Sequence, residues 1–377
     1  MRNLIFLINV LNCSIGGMEI HQRAFIEYYK TSAEYRLYVV EKLRSGIIVY
    51  MTINNMLRQI ALYESVTEGL QCLCRTLTGT SIIFANDFWW LDMIPTIKKI
   101  FHNSKIYIRS GGNDIEKMPW NPSDLPYEER HTLCVNTLNQ IDGIIVNSHF
   151  TQTRFISHGI PTEKTIIIRG GVNITACRFI VNNREMLNKQ MRRILSITSP
   201  YIFAFVCRFV PFKGIELALE AIRKSWVRNK CHLLFVGDGE LKDELVLYCN
   251  IHSLRASFLG ALPNETVLQI MGASDLLFNT SLEQTKSYKD HSYIHTETMG
   301  RSMMEAISVH TPIIATNVGG TSELFDENED IGILADCSSE AVNNAIQKAL
   351  NHNFIFKINK DYSWNNIFNL YTSIFNA

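Results

Sequence analysis

The hydrophobic pattern of the chain alternates between short apolar runs rich in β-branched residues and longer stretches with helical periodicity. Such alternation is typical of stacked βα units built on parallel sheets. In the first half it predicts strands at residues 3–9, 36–40, 46–51, 81–85, 105–109, 143–147 and 165–168. In the second half it predicts strands at residues 202–207, 232–236, 256–259, 275–278, 312–315 and 332–334. The pattern therefore predicts an α/β protein with two doubly wound domains of similar size.

The stretch from Gly170 to about Leu195 interrupts this rhythm, because it is polar and rich in Asn and Arg. We expect a linker here, and a hinge between the two domains at residues 170–195 and again at 361–364. No repeat of fixed period and no low-complexity block is visible, which excludes solenoid architectures.

The composition is that of a globular protein, since 46% of the 377 residues are hydrophobic and 19% are charged. Thirty-six basic and 36 acidic residues give a net charge of zero, so we expect no nucleic-acid partner and no general attraction to an anionic membrane. The nine cysteines contain no Cys-x-x-Cys pair, which argues against a disulfide framework and a zinc site. Reduced thiols in the cytoplasm fit this usage best.

The apolar run from Leu4 to Val10 has two interpretations, a short signal peptide and a buried first strand. Asn9 and Asn12 interrupt the run and no small-residue cleavage site follows, so the strand is favoured. No run reaches the roughly 18 apolar residues of a membrane-spanning helix. We therefore expect a cytoplasmic protein, and peripheral contact with the inner face of a membrane stays open.

Candidate chemistry lies just after the predicted strands, because ligands of open parallel sheets bind beyond the carboxyl ends of the strands. Gly16 and Gly17 follow the first strand, where they either let the backbone approach an anion or form a tight turn. Arg208 ends a predicted strand and Lys213 lies at the next helix start, so both cations can face one phosphate pair. Two solvated surface cations are the alternative.

Two glutamates, Glu297 and Glu305, lie eight residues apart, slightly more than two helical turns. If a helix begins near Gly300, Glu297 lies in the loop before it and Glu305 on its second turn. One carboxylate can then reach a sugar while the other accepts ribose hydroxyls. A glutamate pair at this spacing also arises by chance in a chain of this length, so its context decides.

Taken together, these segments resemble the large retaining glycosyltransferase family often numbered four, the glycosyl transferases group 1. The fold of that family is GT-B, two Rossmann-like doubly wound parallel-sheet domains that face a central cleft. The resemblance runs nearly from end to end, and the segments that carry it are Gly16-Gly17, Val146 to Ser148, Gly159 to Pro161, Arg169 to Asn173, Arg208 with Lys213-Gly214, Val236 to Gly239, Leu259-Gly260, Ala273 to Asp275, the Glu297/Glu305 block, Gly319-Gly320 with Glu323, and the aromatic tail from Ser363.

The resemblance implies three parts. Residues 1–175 would form an N-terminal Rossmann-like domain that binds the acceptor, and residues 176–358 a C-terminal Rossmann-like domain that binds the nucleotide-sugar donor. Residues 359–377 would form a C-terminal helix that crosses back to the first domain. The implied activity is transfer of a hexose or hexosamine to a glycan or lipid-linked acceptor, in surface polysaccharide or lipopolysaccharide synthesis.

The resemblance also implies roles for single residues. Arg208 and Lys213 would bind the donor diphosphate, Glu305 the ribose, and Glu297 the donor sugar, so that Glu297, Arg208 and Lys213 would be the catalytic residues. The other implied donor-binding residues are Gly16, Gly17, Gly237, Leu259, Gly260 and the backbone N–H groups of Met299, Gly300 and Arg301. No cofactor is expected. Preorganised cations and helix-start N–H groups can stabilise a leaving diphosphate without a metal, and no Asp-x-Asp motif is present, so we expect metal independence.

The chain departs from the family pattern at three places, one of which is the absence of the common Gly-Phe pair after Glu297. Members commonly carry a donor-contacting His after the strand that ends at Arg109, where this chain has Ser110 to Asp114. His310 stands where the family usually has Gly before its Pro. Asn113 or Asp114 can substitute for the missing His, or the loop makes room for a different sugar. These changes leave the nucleotide and the sugar of the donor undefined.

The acceptor side is less clear from the sequence. Trp89 and Trp90 follow a predicted strand and are candidates for a stacking platform for sugars, with core residues as the alternative. Asn113 and Asp114 are further acceptor candidates. The nearby basic residues, which would meet either anionic lipid or only solvent, are Lys98, Lys99, His102, Lys105 and Arg109.

Two other functions compete with transfer. Sugar-nucleotide 2-epimerases share the fold and also bind a nucleoside diphosphate, although their cleft His and carboxylates are matched less well. A non-catalytic subunit that only binds a nucleotide sugar is the third interpretation, because the family His is missing. The sequence leaves the acceptor, the linkage and the oligomeric state undefined.

Overall fold

A computed structural model describes residues 1–11, 16–117 and 125–377, and these residues form two compact units. Unit 1 comprises Met1–Gly170, Lys286–Tyr293 and Asn365–Ala377. Unit 2 comprises Gly171–Thr285 and Ile294–Trp364. The chain therefore changes unit four times.

Unit 1 is built on an eight-stranded sheet in the order β4-β3-β2-β1-β5-β6-β7-β8. Strands β3 and β4 pair antiparallel, as do β2 and β3, whereas the other neighbours are parallel. The order reverses between β1 and β5. The strands are β1 (Arg2–Ile8), β2 (Tyr35–Lys42), β3 (Ile47–Ile53), β4 (Met56–Tyr63), β5 (Ser81–Ala85), β6 (Lys105–Arg109), β7 (Gly143–Val146) and β8 (Thr165–Ile167). The helices between them are α1 (Gly17–Tyr29), α2 (Val66–Thr76), α3 (Ile94–Ile100), α4 (Asp114–Lys117), α5 (Tyr127–Asn139) and α6 (His149–Ser157).

Unit 2 is built on a six-stranded parallel sheet in the order β11-β10-β9-β12-β15-β16, which reverses between β9 and β12. Its strands are β9 (Tyr201–Val206), β10 (Cys231–Val236), β11 (Ala256–Gly260), β12 (Leu276–Asn279), β15 (Ile313–Thr316) and β16 (Gly332–Ala335). A hairpin of β13 (Gln284–Tyr288) and β14 (His291–His295) follows β12 in the chain, and its residues Lys286–Tyr293 belong to unit 1. The helices are α7 (Ile174–Asn182), α8 (Arg184–Ile194), α9 (Ile215–Lys224), α10 (Lys242–Ile251), α11 (Asn264–Ala273), α12 (Arg301–Ser308), α13 (Thr321–Glu327) and α14 (Ser339–Leu350).

All thirteen strands predicted from the sequence are present, because buried parallel strands are nearly continuous apolar runs. The predicted linker is wrong. Residues 174–194 form helices α7 and α8, whose apolar residues Cys177, Ile180, Leu187 and Met191 enter the core of unit 2. Strand β4 and the β13–β14 hairpin were not predicted, since both are exposed and polar along much of their length.

The last helix, α15 (Trp364–Asn376), completes the core of unit 1. Its buried aromatic residues Phe368 and Tyr371 pack on Phe25 of α1, with ring centroids 5.7 and 5.9 Å away. Tyr371 also lies 5.2 Å from Phe84 of β5. The aromatic periodicity of the tail is thus explained by burial against the first helix and the central strands of the sheet.

Candidate active site

The strongest cluster of polar side chains lies where the sheet of unit 2 reverses, beyond the carboxyl ends of β9 and β12. In open α/β sheets this reversal leaves a crevice between loops that diverge to opposite faces, and ligands bind there. Lys213 comes from the loop after β9, and Ser281 from the segment after β12. Glu297 precedes α12. The sheet order therefore brings together residues that are up to 84 positions apart in the chain.

The Lys213 turn is held in place by a close backbone approach. Residues Pro211–Lys213 form a 3-10 turn that ends at Gly214, which has a left-handed φ of 58°. A Cβ at Gly214 would lie 1.9 Å from the carbonyl oxygen of Thr280, so only glycine fits. The Thr280 hydroxyl donates to the Gly214 carbonyl at 2.9 Å. These contacts fix Lys213 beside the end of β12.

Glu297 and Lys213 form an ion pair that is largely shielded from water, with 12% and 18% of their side chains exposed. Ser281 Oγ lies 3.1 Å from Glu297 Oε2, and the Gly300 N–H also donates to this carboxylate. Burial alone would raise the pKa of Glu297. The charge and hydrogen bond of Lys213, together with the hydrogen bonds from Ser281 and Gly300, outweigh burial and hold the pKa below its usual value. Glu297 is therefore ionised at neutral pH.

The backbone of Glu297 is fixed by the two glycines after β15. A Cβ at Gly319, whose φ is 55°, would lie 2.0 Å from the Glu297 carbonyl oxygen. The Gly320 N–H donates to the same oxygen at 2.9 Å. The Gly319-Gly320 pair thus positions the loop that carries Glu297, and an alanine at Gly319 would displace it.

Glu305 lies on the second turn of α12, which begins at Arg301 as the spacing of the two glutamates suggested. Its side chain is buried, and Oε1 accepts a hydrogen bond from Asn264 Nδ2 at 2.8 Å. The Arg301 guanidinium pairs with the same oxygen at 3.1 Å and donates to the Gly171 carbonyl at 3.2 Å. Both contacts fall on Oε1, so Asn264 and Arg301 together orient the carboxylate.

Arg208, the other predicted diphosphate ligand, is exposed just beyond the end of β9. Within residues 1–11, 16–117 and 125–377, its guanidinium makes no hydrogen bond or ion pair. The two cations thus differ, because Lys213 is already paired with Glu297. An ammonium carries three N–H donors, so Lys213 still has capacity for a second partner.

The remaining predicted donor-binding residues of unit 2 lie at neighbouring strand ends. Gly237 follows β10, and its N–H donates to the carbonyl of Gly260 at the end of β11 at 2.8 Å. Leu259 is half-buried beside Gly260, and Met299 is buried before α12. A Cβ at Gly237 would lie 1.9 Å from the Cys207 carbonyl oxygen, so packing between strands already accounts for this glycine.

The predicted residues of unit 1 lie around its own sheet reversal. Gly16 is exposed and precedes α1, and Gly17 is the first residue of that helix, while Asn12 to Ile15 lie outside the described residues. Asn113 accepts a hydrogen bond from Arg154 at 2.8 Å. Asp114 accepts from the Ser110 hydroxyl at 2.9 Å and from the Gly111 N–H, so it closes the turn that replaces the family His. Burial raises the pKa of Asp114 despite these bonds.

A cavity of about 250 Å³ lies at the carboxyl ends of β1, β5 and β6, and its lining includes Asp87, Asp114, Glu19 and Lys117. Asp87 caps the following 3-10 turn through the Trp89 N–H at 2.9 Å and accepts from Asn9 at 3.0 Å. Burial, opposed by these bonds and reinforced by the charge of Asp114, raises the pKa of Asp87 to about 7. The charged side chains of this cavity in unit 1 are thus mainly acidic.

The tryptophan pair beside this cavity is split between core and surface. Trp89 lines the cavity and is 60% exposed, so its ring is accessible for stacking. Trp90 is fully buried in the core of unit 1, which excludes it from the predicted stacking platform. Arg109 of the predicted basic cluster is buried as well.

Sequence reasoning missed Ser281, Asn264 and Asp87 as site residues. Ser281 and Asp87 each lie two residues beyond the end of a central strand, β12 and β5. That position was the available signal, because strand ends at a sheet reversal converge on the ligand site. Asn264 offered no comparable signal, since its contact with Glu305 depends on how α11 packs on α12.

In the described part of the chain, no group of three or more His, Cys, Asp or Glu side chains is arranged to hold a metal ion. Among the same residues, no helix combines the length and the apolar character needed to cross a membrane.

A profile of the family described as glycosyl transferases group 1 matches residues 188–366, a range that contains Arg208, Lys213, Glu297 and Glu305. Residues 188–366 are thus similar to this family, and the match covers just under half of the chain. An uncharacterized glycosyltransferase of Methanocaldococcus jannaschii is 25% identical over 168 residues, which cover 44% of this chain and 39% of that protein. A putative teichuronic acid biosynthesis glycosyltransferase, TuaC of Bacillus subtilis, is 28% identical over 178 residues, covering 47% of this chain and 40% of that protein. The chain thus spans about two fifths of the length of these relatives.

Solved structures extend the likeness to the whole chain. The crystal structure of Anabaena HepE in complex with UDP and glucose superimposes with a TM-score of 0.67 at 18% identity and covers all of both chains. At this identity the similarity shows the fold alone. The predicted GT-B fold, with two Rossmann-like α/β units, is thereby confirmed.

Proposed function

We propose that this protein is a retaining glycosyltransferase of the glycosyl transferases group 1 family, and that it moves a hexose or hexosamine from a nucleoside-diphosphate sugar to a glycan or lipid-linked acceptor. The observation that carries the proposal is the ionised Glu297, paired with Lys213 at the sheet reversal of unit 2 and eight residues before the buried Glu305. This arrangement offers a cation for a phosphate and two carboxylates for hydroxyl groups within one family-matched region.

The donor diphosphate is assigned to Arg208 and Lys213. Arg208 is exposed beyond β9 and has no partner among the described residues, and Lys213 has unused donors. A guanidinium binds phosphate in a bidentate manner and an ammonium binds as a point charge, so the two can share one diphosphate. HepE was solved with UDP, which supports a nucleoside diphosphate as the ligand class.

The two glutamates are assigned to different parts of the donor. Glu305 is held in a fixed orientation by Asn264 and Arg301. This orientation suits a ribose, whose two neighbouring hydroxyl groups can both donate hydrogen bonds to one carboxylate. Glu297 is held by Lys213 and Ser281 and suits the hydroxyl groups of the transferred sugar. A contact with the reacting sugar can strengthen as the glycosidic bond breaks, whereas a ribose contact cannot.

The chemistry requires stabilisation of the leaving diphosphate. As the bond between C1 of the sugar and the diphosphate oxygen breaks, negative charge develops on the diphosphate, and Lys213 and Arg208 are placed to offset it. The acceptor oxygen bonds to C1, and its proton leaves with the diphosphate. Preorganised cations give this stabilisation without a divalent ion, so we propose a metal-independent reaction.

The acceptor is assigned to unit 1. The cavity at its sheet reversal contains hydrogen-bond acceptors in Asp87 and Asp114 and borders the exposed ring of Trp89. Sugars combine hydroxyl groups with apolar ring faces, so a carboxylate beside an aromatic ring fits a glycan. This supports a glycan portion of the acceptor, and we propose a role in surface polysaccharide or lipopolysaccharide synthesis.

The test is turnover with UDP-, GDP- and ADP-sugars, followed by NMR assignment of the anomeric configuration of the product. Transfer, or slow hydrolysis of the donor, with retained configuration is the expected result. Isomerisation of the free donor would show that the protein is an epimerase instead. Binding without turnover would show that it is a subunit that only binds the nucleotide sugar. Arg208→Ala should weaken donor binding at least tenfold, and Arg193→Ala, which changes an exposed arginine of α8, is the matched control.

A further inference from the structure

Asn279, the last residue of β12, lies beneath the proposed sugar site and has no assigned role. Its side chain is 6% exposed, and its carboxamide oxygen Oδ1 lies 2.9 Å from Ser281 Oγ. Its Nδ2 is buried and has no hydrogen-bond partner in the part of the chain that the structure describes. A Cβ at Gly300 would lie 3.0 Å from this nitrogen, so the amide nitrogen faces the turn that starts α12.

With the amide in this orientation, Ser281 cannot satisfy both of its neighbours, because a hydroxyl donates only one hydrogen bond. Ser281 has one proton, but it faces two acceptors, Asn279 Oδ1 at 2.9 Å and Glu297 Oε2 at 3.1 Å. One acceptor is left without a proton, and the buried donor Nδ2 is left without an acceptor. Buried donors are almost always paired in native proteins.

Rotation of the terminal amide by 180° resolves the conflict, because the amide nitrogen and oxygen exchange places and no other atom has to move. Nδ2 then donates to Ser281 Oγ, and the Ser281 proton is released for Glu297. The number of satisfied hydrogen bonds rises from one to two. We infer that Asn279 is a positioning residue whose amide donates to Ser281, so that the Ser281 hydroxyl donates to Glu297 Oε2 and orients this carboxylate toward the donor sugar.

The titratable groups near Glu297 affect how its pKa responds to changes at Asn279. Lys213, from the 3-10 turn after β9, pairs with Glu297, and the thiol of Cys207, the residue after β9, is a nearby titratable group. Burial raises the pKa of Cys207 to about 11, so this thiol stays neutral at working pH. We expect changes at Asn279 to act on Glu297 through Ser281, and a Ser281→Ala background separates this route from an effect through the Gly300 turn.

Asn279→Leu separates the two orientations of the amide, because leucine is close to asparagine in shape and makes no hydrogen bond. If Nδ2 faces Ser281, leucine removes the donor that holds the hydroxyl, and the pKa of Glu297 should rise. If Oδ1 faces Ser281, leucine removes a competitor for the proton, and the pKa of Glu297 should fall. The two alternatives predict opposite signs.

The experiment is an NMR titration of the protein labelled with ¹³C at the glutamate carboxyl, with the Glu297 signal assigned by comparison with Glu297→Gln. We expect Asn279→Leu to raise the pKa of Glu297 and Asn279→Asp, which adds a like charge, to raise it further. In a Ser281→Ala background, Asn279→Leu should have no further effect. A fall in the pKa, or an equal change with and without Ser281, would overturn the inference.

Turnover gives a second readout, which rests on the proposed function. Asn279→Leu should lower kcat at least fivefold and leave nucleoside-diphosphate affinity unchanged, since the ribose is assigned to Glu305. Asn328→Leu is the matched control, because Asn328 is a buried asparagine of unit 2 bound to Leu324 and Tyr362. It should leave the Glu297 titration unchanged. A protein without transferase activity would refute the proposed function, whereas the titration would still decide the role of Asn279.

Discussion

Replacement of Glu297 by glutamine removes one negative charge from the ion pair with Lys213 and keeps the shape of the side chain. Lys213 would then be an ammonium with 18% exposure and no carboxylate partner. Loss of a fully buried ion-pair partner costs about 3–5 kcal/mol, and a hydrogen bond to a charged group contributes about 1.5–3 kcal/mol. Because this pair retains some exposure, we expect a loss of about 2–3 kcal/mol in the stability of unit 2.

For a unit of this size, each 1 kcal/mol shifts Tm by roughly 2–4 °C, so the expected fall in Tm is roughly 4–12 °C at pH 7. The pH dependence has a defined sign. The pKa of Glu297 is lowered in the folded protein, so its contribution is complete above the unfolded value and is lost as pH falls through the folded value. The difference in Tm between wild type and variant should therefore narrow below about pH 4.

The functional effects of the same change should separate binding from turnover. Affinity for a nucleoside diphosphate should be unchanged or slightly higher, because Lys213 no longer divides its charge between Glu297 and the phosphates. Turnover should fall about 100-fold, the usual cost of losing one preorganised contact in the transition state. Calorimetric titration and steady-state kinetics measure the two quantities.

Glu220→Gln is the control for this prediction, because Glu220 pairs with Arg223 and Lys224 on the exposed face of α9. Surface ion pairs contribute little, so this variant should keep the wild-type Tm and turnover. A wild-type Tm for Glu297→Gln would show that the pair with Lys213 does not stabilise the fold. A tenfold loss of nucleotide affinity would show that Glu297 contacts the nucleotide instead of the sugar.

Four further predictions test other parts of the molecule. Arg208→Ala should weaken nucleoside-diphosphate binding at least tenfold in calorimetric titration, while Arg193→Ala should not, because only Arg208 lies at the proposed phosphate site. Glu305→Gln should raise the KM for the donor with little change in kcat, since a ribose contact is made equally in ground and transition states; a fall in kcat alone would contradict its assignment to the ribose. Turnover should persist in excess EDTA, and activity that only Mg²⁺ or Mn²⁺ restores would contradict the metal-independent chemistry. Burial raises the pKa of Asp87 to about 7, so wild type should lose stability as pH rises from about 4 to 7, and in Asp87→Asn this loss should be smaller in thermal melts across that range.

The buried strands could be predicted from the sequence. Elements whose polar residues are buried against partners distant in the chain could not. Strands such as β1 and β9 are nearly continuous apolar runs, the pattern expected of parallel strands that are buried on both faces. The polar composition of helices α7 and α8 predicts a linker, which is wrong. In the structure, Arg184 donates to the carbonyls of Ser274 and His310, and Asn188 donates to that of Ala273. Polar side chains that bind carbonyls at the ends of other elements have no local signature.

The same limit applies to the site. Lys213 could be selected from the sequence because it lies at a predicted helix start, and Glu297 and Glu305 because of their eight-residue spacing within the family-like segments. The ion pair of Lys213 with Glu297 could not be predicted, since it depends on the approach of Gly214 to the Thr280 carbonyl, 66 residues away. Trp89 and Trp90 show the converse case, because adjacent identical residues differ only in which side of a short 3-10 turn they occupy.

The return of α15 to unit 1 has a consequence for the order of synthesis on the ribosome. Phe25 and Phe84 are made before unit 2, but their partners Phe368 and Tyr371 are made only after it. Until then the nascent first unit exposes an aromatic surface that α15 later covers, and such surfaces are prone to aggregation. Chaperone occupancy on translating ribosomes should therefore persist through synthesis of unit 2. A chain that ends at residue 364 should keep that surface open and bind chaperones after release, whereas the full chain should not.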